Sequence, residues 1–207
     1  FGVALQRYAN GIDERKVAMP GATRSISRET TFAEDTMDRV FLRSTLHYLC
    51  ERVGAELRQQ QRQARCVTLK LRYYDFETIS RSSTLAEPTD VDQLVFQRAL
   101  ALFEKALSQR KEAIRLIGVE ASHLAGHGRQ LHMFDGNDEK LARLNETVDR
   151  IRRKYGFTSI QTGRTFTLRE VFAEDERDFH LHTPSLFGPM RPSISRPAKC
   201  SGDADST

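Results

Sequence analysis

Residues 67–73 read Val-Thr-Leu-Lys-Leu-Arg-Tyr, and this heptapeptide decides the fold. Apolar side chains alternate with polar ones, which is typical of a β-strand that turns one face to a protein core. The other face is basic, because it carries Lys70 and Arg72. The heptapeptide therefore predicts a sheet with one buried face and one polar face.

The segment before this strand is expected to form a strand and a long helix. Residues 25–32 favour a strand, entered through the Met-Pro-Gly breaker at 19–21. Asp35 and Thr36 then offer side-chain oxygens that can cap a helix, and apolar residues recur at helical spacing beyond them. The polar run at 58–63 is expected to end this helix.

The segment after the heptapeptide is expected to form a strand, a helix and a further strand. A strand is predicted at 76–85 and is closed by Pro88, a helix opens at Thr89 or Asp90, and a strand follows at 114–119. The order β-α-β-β-α-β predicts an α+β fold, a four-stranded antiparallel sheet with two helices on one face. The other face is left free for a ligand.

The C-terminal third predicts a spacer, a helix and a tail. A flexible spacer is expected at 125–128, and apolar residues spaced by three and four predict a helix that Gly156 ends. A short strand pair is predicted between 157 and 172, and the chain beyond is rich in Pro and Ser, which favours disorder. The helix either docks on the domain or uses its basic flank to extend the ligand-binding surface or engage a partner. That flank comprises Arg150, Arg152, Arg153 and Lys154.

Composition limits the class of protein. The 207 residues are 29% charged, with a net charge of +4 and a pI near 9.1, which is compatible with a polyanionic partner. No apolar run approaches the eighteen or so residues of a membrane span. Three cysteines without a C-x-x-C pair suit a reducing compartment, so a cytoplasmic protein is expected. We also expect a monomer. The chain begins with Phe1 rather than Met, and we expect it to be a fragment.

No catalytic residue, metal ligand or cofactor is predicted in this chain. Catalysis with two metal ions needs several carboxylates that converge, whereas the acidic pairs at 13–14, 138–139 and 175–176 lie in predicted loops or helix starts, where they are expected to be solvated or to cap a helix. His127 and His132 lie in or beside the spacer without partnering cysteines or carboxylates, which disfavours a zinc site. The fragment alone is therefore expected to be inactive.

Four segments together resemble the C-terminal half of Y-family translesion DNA polymerases of the bacterial DNA polymerase IV type. They are Gly-Ile-Asp-Glu-Arg at 11–15, Arg-Ser-Ile-Ser-Arg-Glu-Thr-Thr-Phe at 24–32, the heptapeptide at 67–73, and Arg-Leu-Ile-Gly-Val at 115–119. The resemblance implies the end of the thumb and a linker (1–23), a little-finger DNA-binding domain (24–124) and a linker with a clamp-binding motif (125–135). The residue pattern adds a tail helix with short strands (136–172) and a disordered tail (173–207), and these two parts depart from the family, in which the motif lies nearer the end of the chain.

The resemblance also implies that the free sheet face holds the backbone of primer-template DNA without sequence specificity. Such contacts use short hydroxyls, backbone N–H groups and guanidinium groups. Strict alternation turns Arg28 toward the core, so a bulge would be needed to free it. The expected DNA-binding residues are Ser25, Ser27, Arg28, Thr31, Lys70, Arg72, Ser80, Arg81 and Arg115.

The pentapeptide Gln-Leu-His-Met-Phe at 130–134 resembles the bacterial sliding-clamp-binding motif. In such a motif two apolar anchors enter a groove while the Gln amide satisfies polar groups at its edge. Met133 stands where the family usually has Leu. The expected clamp-binding residues are Gln130, Leu131, Met133 and Phe134.

The resemblance implies a role in DNA repair and damage bypass for an error-prone parent polymerase, a nucleotidyltransferase. Its magnesium ions are expected in a catalytic domain absent from this chain. Two alternatives stay open: a catalytically inactive relative that recruits partners to the clamp, and an RNA-binding ferredoxin-like module. The RNA-binding alternative is disfavoured because residues 78–84 contain no aromatic side chain on which bases could stack.

Overall fold

The computed structural model of the chain describes residues 2–16, 21, 23–126, 136–170 and 179. Its helices and strands are, in order, α1 (Gly2–Ala9), β1 (Ser25–Thr36), α2 (Arg39–Gln59), β2 (Arg62–Tyr73), β3 (Thr78–Thr89), α3 (Asp92–Gln109), β4 (Ile114–Gly126) and α4 (Gly136–Tyr155), followed by two 3₁₀ helices at Phe157–Ser159 and Phe166–Glu170.

The four strands form one antiparallel sheet in the order β1-β4-β2-β3. Helices α2 and α3 pack on the same face of this sheet, where they bury Leu46, Val53 and Phe103 completely. The predicted α+β fold is therefore confirmed. Helix α1, which the sequence analysis did not predict, buries no side chain.

The core lies between the sheet and the two helices. The four apolar side chains of the 67–73 heptapeptide are at most 1% exposed, whereas Thr68, Lys70 and Arg72 point to the other side of the sheet. Burial of a large aliphatic side chain contributes about 1.5–3 kcal/mol. The alternation is thus fixed by the hydrophobic effect, and it orients the polar face.

Helix α2 begins later than predicted. Its N-cap is Asp38, whose Oδ1 accepts hydrogen bonds from the N–H groups of Val40 at 2.8 Å and Phe41 at 3.1 Å. Asp35 and Thr36 were predicted as caps, but β1 extends through both of them. The predicted cap was wrong by a few residues because this segment offers several side chains of the capping type.

Strand β3 and helix α3 also differ from prediction. Pro88 does not close β3, which continues to Thr89; an edge strand tolerates a proline because one side needs no ladder hydrogen bond. Helix α3 begins at Asp92 rather than at Thr89 or Asp90. The Thr89 hydroxyl accepts a hydrogen bond from the N–H of Val91 at 3.1 Å, which stabilises the turn between strand and helix.

Helix α4 docks on α2 and α3, as the first of the two interpretations proposed. Asp149 accepts a hydrogen bond at 2.5 Å from the guanidinium of Arg58, and Arg152 donates one at 2.8 Å to Glu51. Both contacts join α4 to α2. No helix among residues 2–16, 23–126 and 136–170 is long and apolar enough to cross a membrane.

The predicted strand pair between 157 and 172 was wrong over residues 157–170, which form two 3₁₀ helices instead. The N–H of Thr165 bonds to the carbonyl of Thr162, and the N–H of Leu168 bonds to that of Thr165. These bonds between residues three apart are the pattern of a 3₁₀ helix. Leu168 and Phe179 are buried and complete the core.

Candidate nucleic-acid interface

The sheet face opposite α2 and α3, called the open face below, is built from alternate residues of all four strands. The antiparallel register aligns these residues in four rows that run across the strands. In the order β1-β4-β2-β3, the rows are Ser25-Ser122-Cys66-Thr84, Ser27-Glu120-Thr68-Ser82, Glu29-Gly118-Lys70-Ser80 and Thr31-Leu116-Arg72-Thr78.

The open face is rich in hydroxyl groups and close to neutral. Nine of its sixteen residues are Ser or Thr, and the cations Lys70 and Arg72 are matched in number by the carboxylates of Glu29 and Glu120. The sequence predicted a basic face from Lys70 and Arg72, which alternate with the apolar residues of β2. The other strands supply the two carboxylates, so hydroxyl donors outnumber charges on this surface.

Lys70 is held at the middle of the open face by Glu29. Its Nζ donates a hydrogen bond to the Glu29 carboxylate at 2.8 Å, across Gly118 of the strand between them. A Cβ atom at position 118 would stand 2.8 Å from the Cβ of Glu29, closer than such atoms approach in proteins. Glycine is therefore the residue that lets the two side chains meet.

Arg72 is fixed by a hydroxyl of the neighbouring strand. Its Nε donates a hydrogen bond to the Thr78 Oγ1 at 2.9 Å, and the hydroxyls of Thr68 and Ser82 bond to each other at the same distance. A guanidinium group carries five N–H donors. The terminal nitrogens of Arg72 therefore remain able to bind an anion.

Arg115 lies at one end of the open face, at a bulge in β4. Arg72 pairs with Leu116 whereas Tyr73 pairs with Ile114, so Arg115 is the extra residue. Its guanidinium lies 3.3 Å from the Asp35 carboxylate and 4.5 Å from the centroid of the Phe76 ring. Arg115 is thus near the row that contains Arg72, but it is held by an anion and an aromatic ring.

The structure does not bring Arg28 and Arg81 to the open face. Strict alternation holds in this part of β1, and Arg28 points to the helix side, where its Nη2 lies 3.3 Å from Glu56 of α2. Arg81 pairs with the buried Leu69 and donates a hydrogen bond to Gln109 of α3. No bulge frees Arg28, and the other seven predicted DNA-binding residues lie on or beside the open face.

Several residues of the open face were missed by the sequence analysis. The alternation of Thr and Ser in residues 78–84 is a signal that could have found those on β3, whereas the acidic residues become part of the face only through the register. The missed residues are Glu29, Cys66, Thr68, Thr78, Ser82, Thr84, Leu116, Gly118, Glu120 and Ser122.

The sequence also predicted a clamp-binding motif and no metal ligands. The clamp-binding residues Gln130, Leu131, Met133 and Phe134 lie outside the described residues. Within the described ranges, no group of three or more His, Cys, Asp or Glu side chains is placed to hold a metal ion.

A second set of charges is buried on the helix side, between α2 and α4. Burial raises the pKa of Glu51, although the adjacent Arg152 opposes this shift. His47, one turn earlier on α2, is also buried, and its ring lies 4.5 Å from that of Phe96. Burial, reinforced by Arg164 and Arg152, lowers the pKa of His47 to about 4. The stability of the helix side is therefore expected to depend on pH through Glu51 and His47.

Comparison with known proteins identifies relatives of the chain. It is 43% identical over 168 residues to DNA polymerase IV of Dehalococcoides mccartyi, an alignment that covers 81% of this chain and 43% of the relative. It is 37% identical over 164 residues to DNA polymerase IV of Caulobacter vibrioides, covering 79% and 40%. The chain thus spans less than half the length of these curated relatives.

A solved complex of the beta-clamp processivity factor and the little finger domain of PolIV is similar over 53% of this chain and 98% of that chain, with 19% identity and a TM-score of 0.40. The model of the impB/mucB/samB family C-terminal domain matches residues 23–133, which include all four strands of the sheet. The resemblance to Y-family polymerases is thereby confirmed, and the chain belongs to the impB/mucB/samB family, whose C-terminal domain it carries.

Proposed function

We propose that this chain is the DNA-holding C-terminal region of an error-prone translesion DNA polymerase, and that its open face contacts the backbone of primer-template DNA. The observation that supports this most is a sheet face with nine hydroxyl groups and two cations, contributed by all four strands. Hydroxyl and guanidinium donors position phosphates. The face carries no Asn or Gln, which commonly read adenine, so binding is expected to be independent of sequence.

The size of the open face suits a short stretch of duplex. Four rows two residues apart extend about 20 Å along the strands, since each residue rises about 3.3 Å. One DNA strand advances about 3.4 Å per base pair, so the face spans about six base pairs. It is thus large enough to contact one strand for half a helical turn.

The near-neutral charge predicts a moderate salt dependence. Arg72 and Lys70 supply two contacts once Lys70 leaves Glu29, and Arg115 supplies a third if it leaves Asp35. Each neutralised phosphate contributes about −0.9 to the slope of log K against log salt. Affinity should therefore fall about 10- to 40-fold between about 50 and 200 mM salt, much less than for a strongly basic protein.

The test measures duplex binding of the chain by fluorescence anisotropy. Replacing both cations, Lys70→Gln with Arg72→Gln, should weaken binding up to about sixtyfold at about 0.1 M salt and reduce the salt slope by about 1.8. Arg98→Gln with Lys105→Gln is the matched control, because both side chains are exposed on α3 and the loss of charge is equal. Equal weakening by the control pair would contradict the open face as the site, as would a strong preference for one DNA sequence.

The proposal extends to a bacterial sliding clamp as a second partner. It is supported by the Gln-Leu-His-Met-Phe motif at 130–134, shortly after β4 ends at Gly126. Leu131→Ala with Phe134→Ala should abolish clamp capture while duplex affinity stays unchanged, because the two anchors do not belong to the sheet. Clamp capture that survives the double substitution would refute the motif assignment.

The structure also bears on the two alternatives. None of the sixteen residues of the open face is aromatic, so it offers no ring for base stacking, which disfavours an RNA-binding module of the ferredoxin-like type. The inactive relative differs from the main proposal only in the parent protein. Primer extension with magnesium by the parent protein separates them; the present chain alone should extend no primer.

A further inference from the structure

Helix α4 lies beyond residues 23–133, the part of the chain that matches the family model. Its buried residues Ala142, Asn145 and Arg152 face the α2–α3 layer, which covers the sheet face opposite the open face. The outward side of α4 is therefore a surface on the helix side of the domain, remote from the hydroxyl-rich rows.

The outward side of α4 carries a row of cations. At 100° per residue, four of its exposed basic residues fall within one quadrant of the helix, on the side opposite the buried residues. The row extends about 21 Å, because the first and last of the four are fourteen residues apart and each residue rises about 1.5 Å. These residues are Lys140, Arg143, Arg150 and Lys154.

Ion pairing among the described residues does not account for the second half of this row, Arg150 and Lys154. The inward charges of α4, Asp149 and Arg152, are matched by Arg58 and Glu51 of α2. By contrast, Arg150 and Lys154 form no ion pair with any residue that the structure describes, and over residues 140–155 Glu146 is the one fully exposed carboxylate. The outward side thus keeps an excess of positive charge.

Stabilisation of the helix dipole does not account for the row of cations either. Cations stabilise the C-terminal turn of a helix, where Arg153 and Lys154 lie, but they are unfavourable near its N-terminus. Lys140 and Arg143 nonetheless lie in the first half of α4. A row that is basic along its whole length is better explained by an extended anionic ligand.

An exposed aromatic ring at the end of the row indicates what kind of anion the row binds. Tyr155 is 59% exposed, and the Nζ of Lys154 lies 5.0 Å from the centroid of its ring. An unpaired base can stack on such a ring, whereas the bases of a duplex are already stacked on each other. Proteins that bind single strands combine a cationic track with aromatic platforms in this way.

We propose that the outward side of α4 binds the backbone of single-stranded DNA over about six nucleotides, independently of the open face. The strand would follow the cation row and place one base on Tyr155. Since this surface and the open face lie on different sides of the domain, a duplex and a single strand could be held at the same time.

The test uses the chain as it exists, with a labelled oligothymidylate of about twelve nucleotides as the probe. Arg150→Glu with Lys154→Glu should weaken single-strand binding at least about 25-fold at about 0.1 M salt, since two contacts of slope about 0.7 are lost. Tyr155→Ala should weaken it without changing the salt slope. Duplex binding should stay unchanged in both variants.

The matched control is Arg98→Glu with Lys105→Glu, which makes the same change in charge on exposed positions of α3. Equal weakening by this control, or none by the α4 variant, would overturn the proposal. Loss of duplex rather than single-strand binding would also overturn it, as would competition by polyglutamate as effective as that by oligothymidylate. Because Arg150 and Lys154 are exposed, Arg150→Gln with Lys154→Gln serves as a milder variant if the charge reversal disturbs folding.

Discussion

Removal of the Arg152 side chain should be one of the most damaging single changes on the surface between α2 and α4. Its guanidinium donates a hydrogen bond at 2.8 Å to Glu51, and both side chains are only 5% exposed. It also donates to the carbonyl of Ile160 at 3.0 Å and lies 4.1 Å from the centroid of the Phe157 ring. Arg152→Ala would leave the Glu51 carboxylate buried without its partner.

The expected loss is about 3–5 kcal/mol at neutral pH, the usual cost of removing one member of a buried ion pair. For a domain of this size each kcal/mol corresponds to about 2–4 °C in Tm, so the midpoint should fall by about 6–20 °C. The neighbouring Arg153 is exposed, and its nearest described acceptor is the carbonyl of Asp149 at 3.4 Å. Arg153→Ala should therefore cost less than about 0.5 kcal/mol.

The loss should depend on pH in a defined direction. Without Arg152, burial holds the pKa of Glu51 still further above its ordinary value of 4.5. Below that value the carboxyl is protonated in both the folded and the unfolded protein, so its contribution to the loss vanishes. As the pH rises above 4.5, the unfolded protein releases this proton more readily and the variant becomes progressively less stable.

Chemical denaturation of the wild type, Arg152→Ala and Arg153→Ala at several pH values measures both effects. The gap between Arg152→Ala and the wild type should narrow from about 3–5 kcal/mol near pH 7 to about 1–2 kcal/mol near pH 4, where the hydrogen bond to Ile160 and the contact with Phe157 are still missing. A gap that is small at neutral pH, or that does not change with pH, would refute the buried ion pair. Glu51→Gln combined with Arg152→Met should recover part of the stability.

Three further changes test other parts of the fold. Gly118→Ala should cost about 1–3 kcal/mol in urea denaturation and weaken duplex binding, because the new Cβ would stand 2.8 Å from that of Glu29; wild-type stability would refute the close approach. Because burial lowers the pKa of His47 from 6.5 to about 4, the stability present above pH 6.5 should decline by about 3 kcal/mol as the pH falls to 4, and His47→Gln should lack this decline. Phe103→Ala, at a fully buried position, should cost about 3–5 kcal/mol by thermal unfolding, whereas Leu144→Ala, at a position 52% exposed, should cost less than about 0.5.

The sheet could be predicted from the sequence because period-two alternation is a direct consequence of burying one face. The heptapeptide at 67–73 carries this signal in full, and its core face is buried as predicted. Element ends were harder, because Asp35, Thr36 and Asp38 are all capable of capping a helix and only tertiary packing selects Asp38. The strand through Pro88 was missed because its position at the edge of the sheet follows from topology.

The open face and the docking of α4 depend on contacts between distant residues. Glu29 is 41 residues from Lys70, and Arg152 is 101 residues from Glu51, so these charges look like ordinary solvated side chains in the sequence. Their pairing becomes visible only when the register and the helix layer are known. For Arg81, in contrast, the sequence held enough information to avoid the error. Arg81 follows Ser80 in the same strand, and alternation turns neighbouring residues of a strand to opposite faces, so Ser80 and Arg81 do not both lie on the open face.

The way α4 and the 3₁₀ helices attach has a practical consequence for anyone who trims this chain. A fragment cut at residue 133, where the family match ends, would lack Phe157 and Phe179, whose rings lie 5.6 and 5.2 Å from that of Tyr48. It would also strip Glu51 of its counterion. We therefore expect the chain through residue 179 to be more stable than a piece that ends at residue 133, and a terminal tag should follow residue 179.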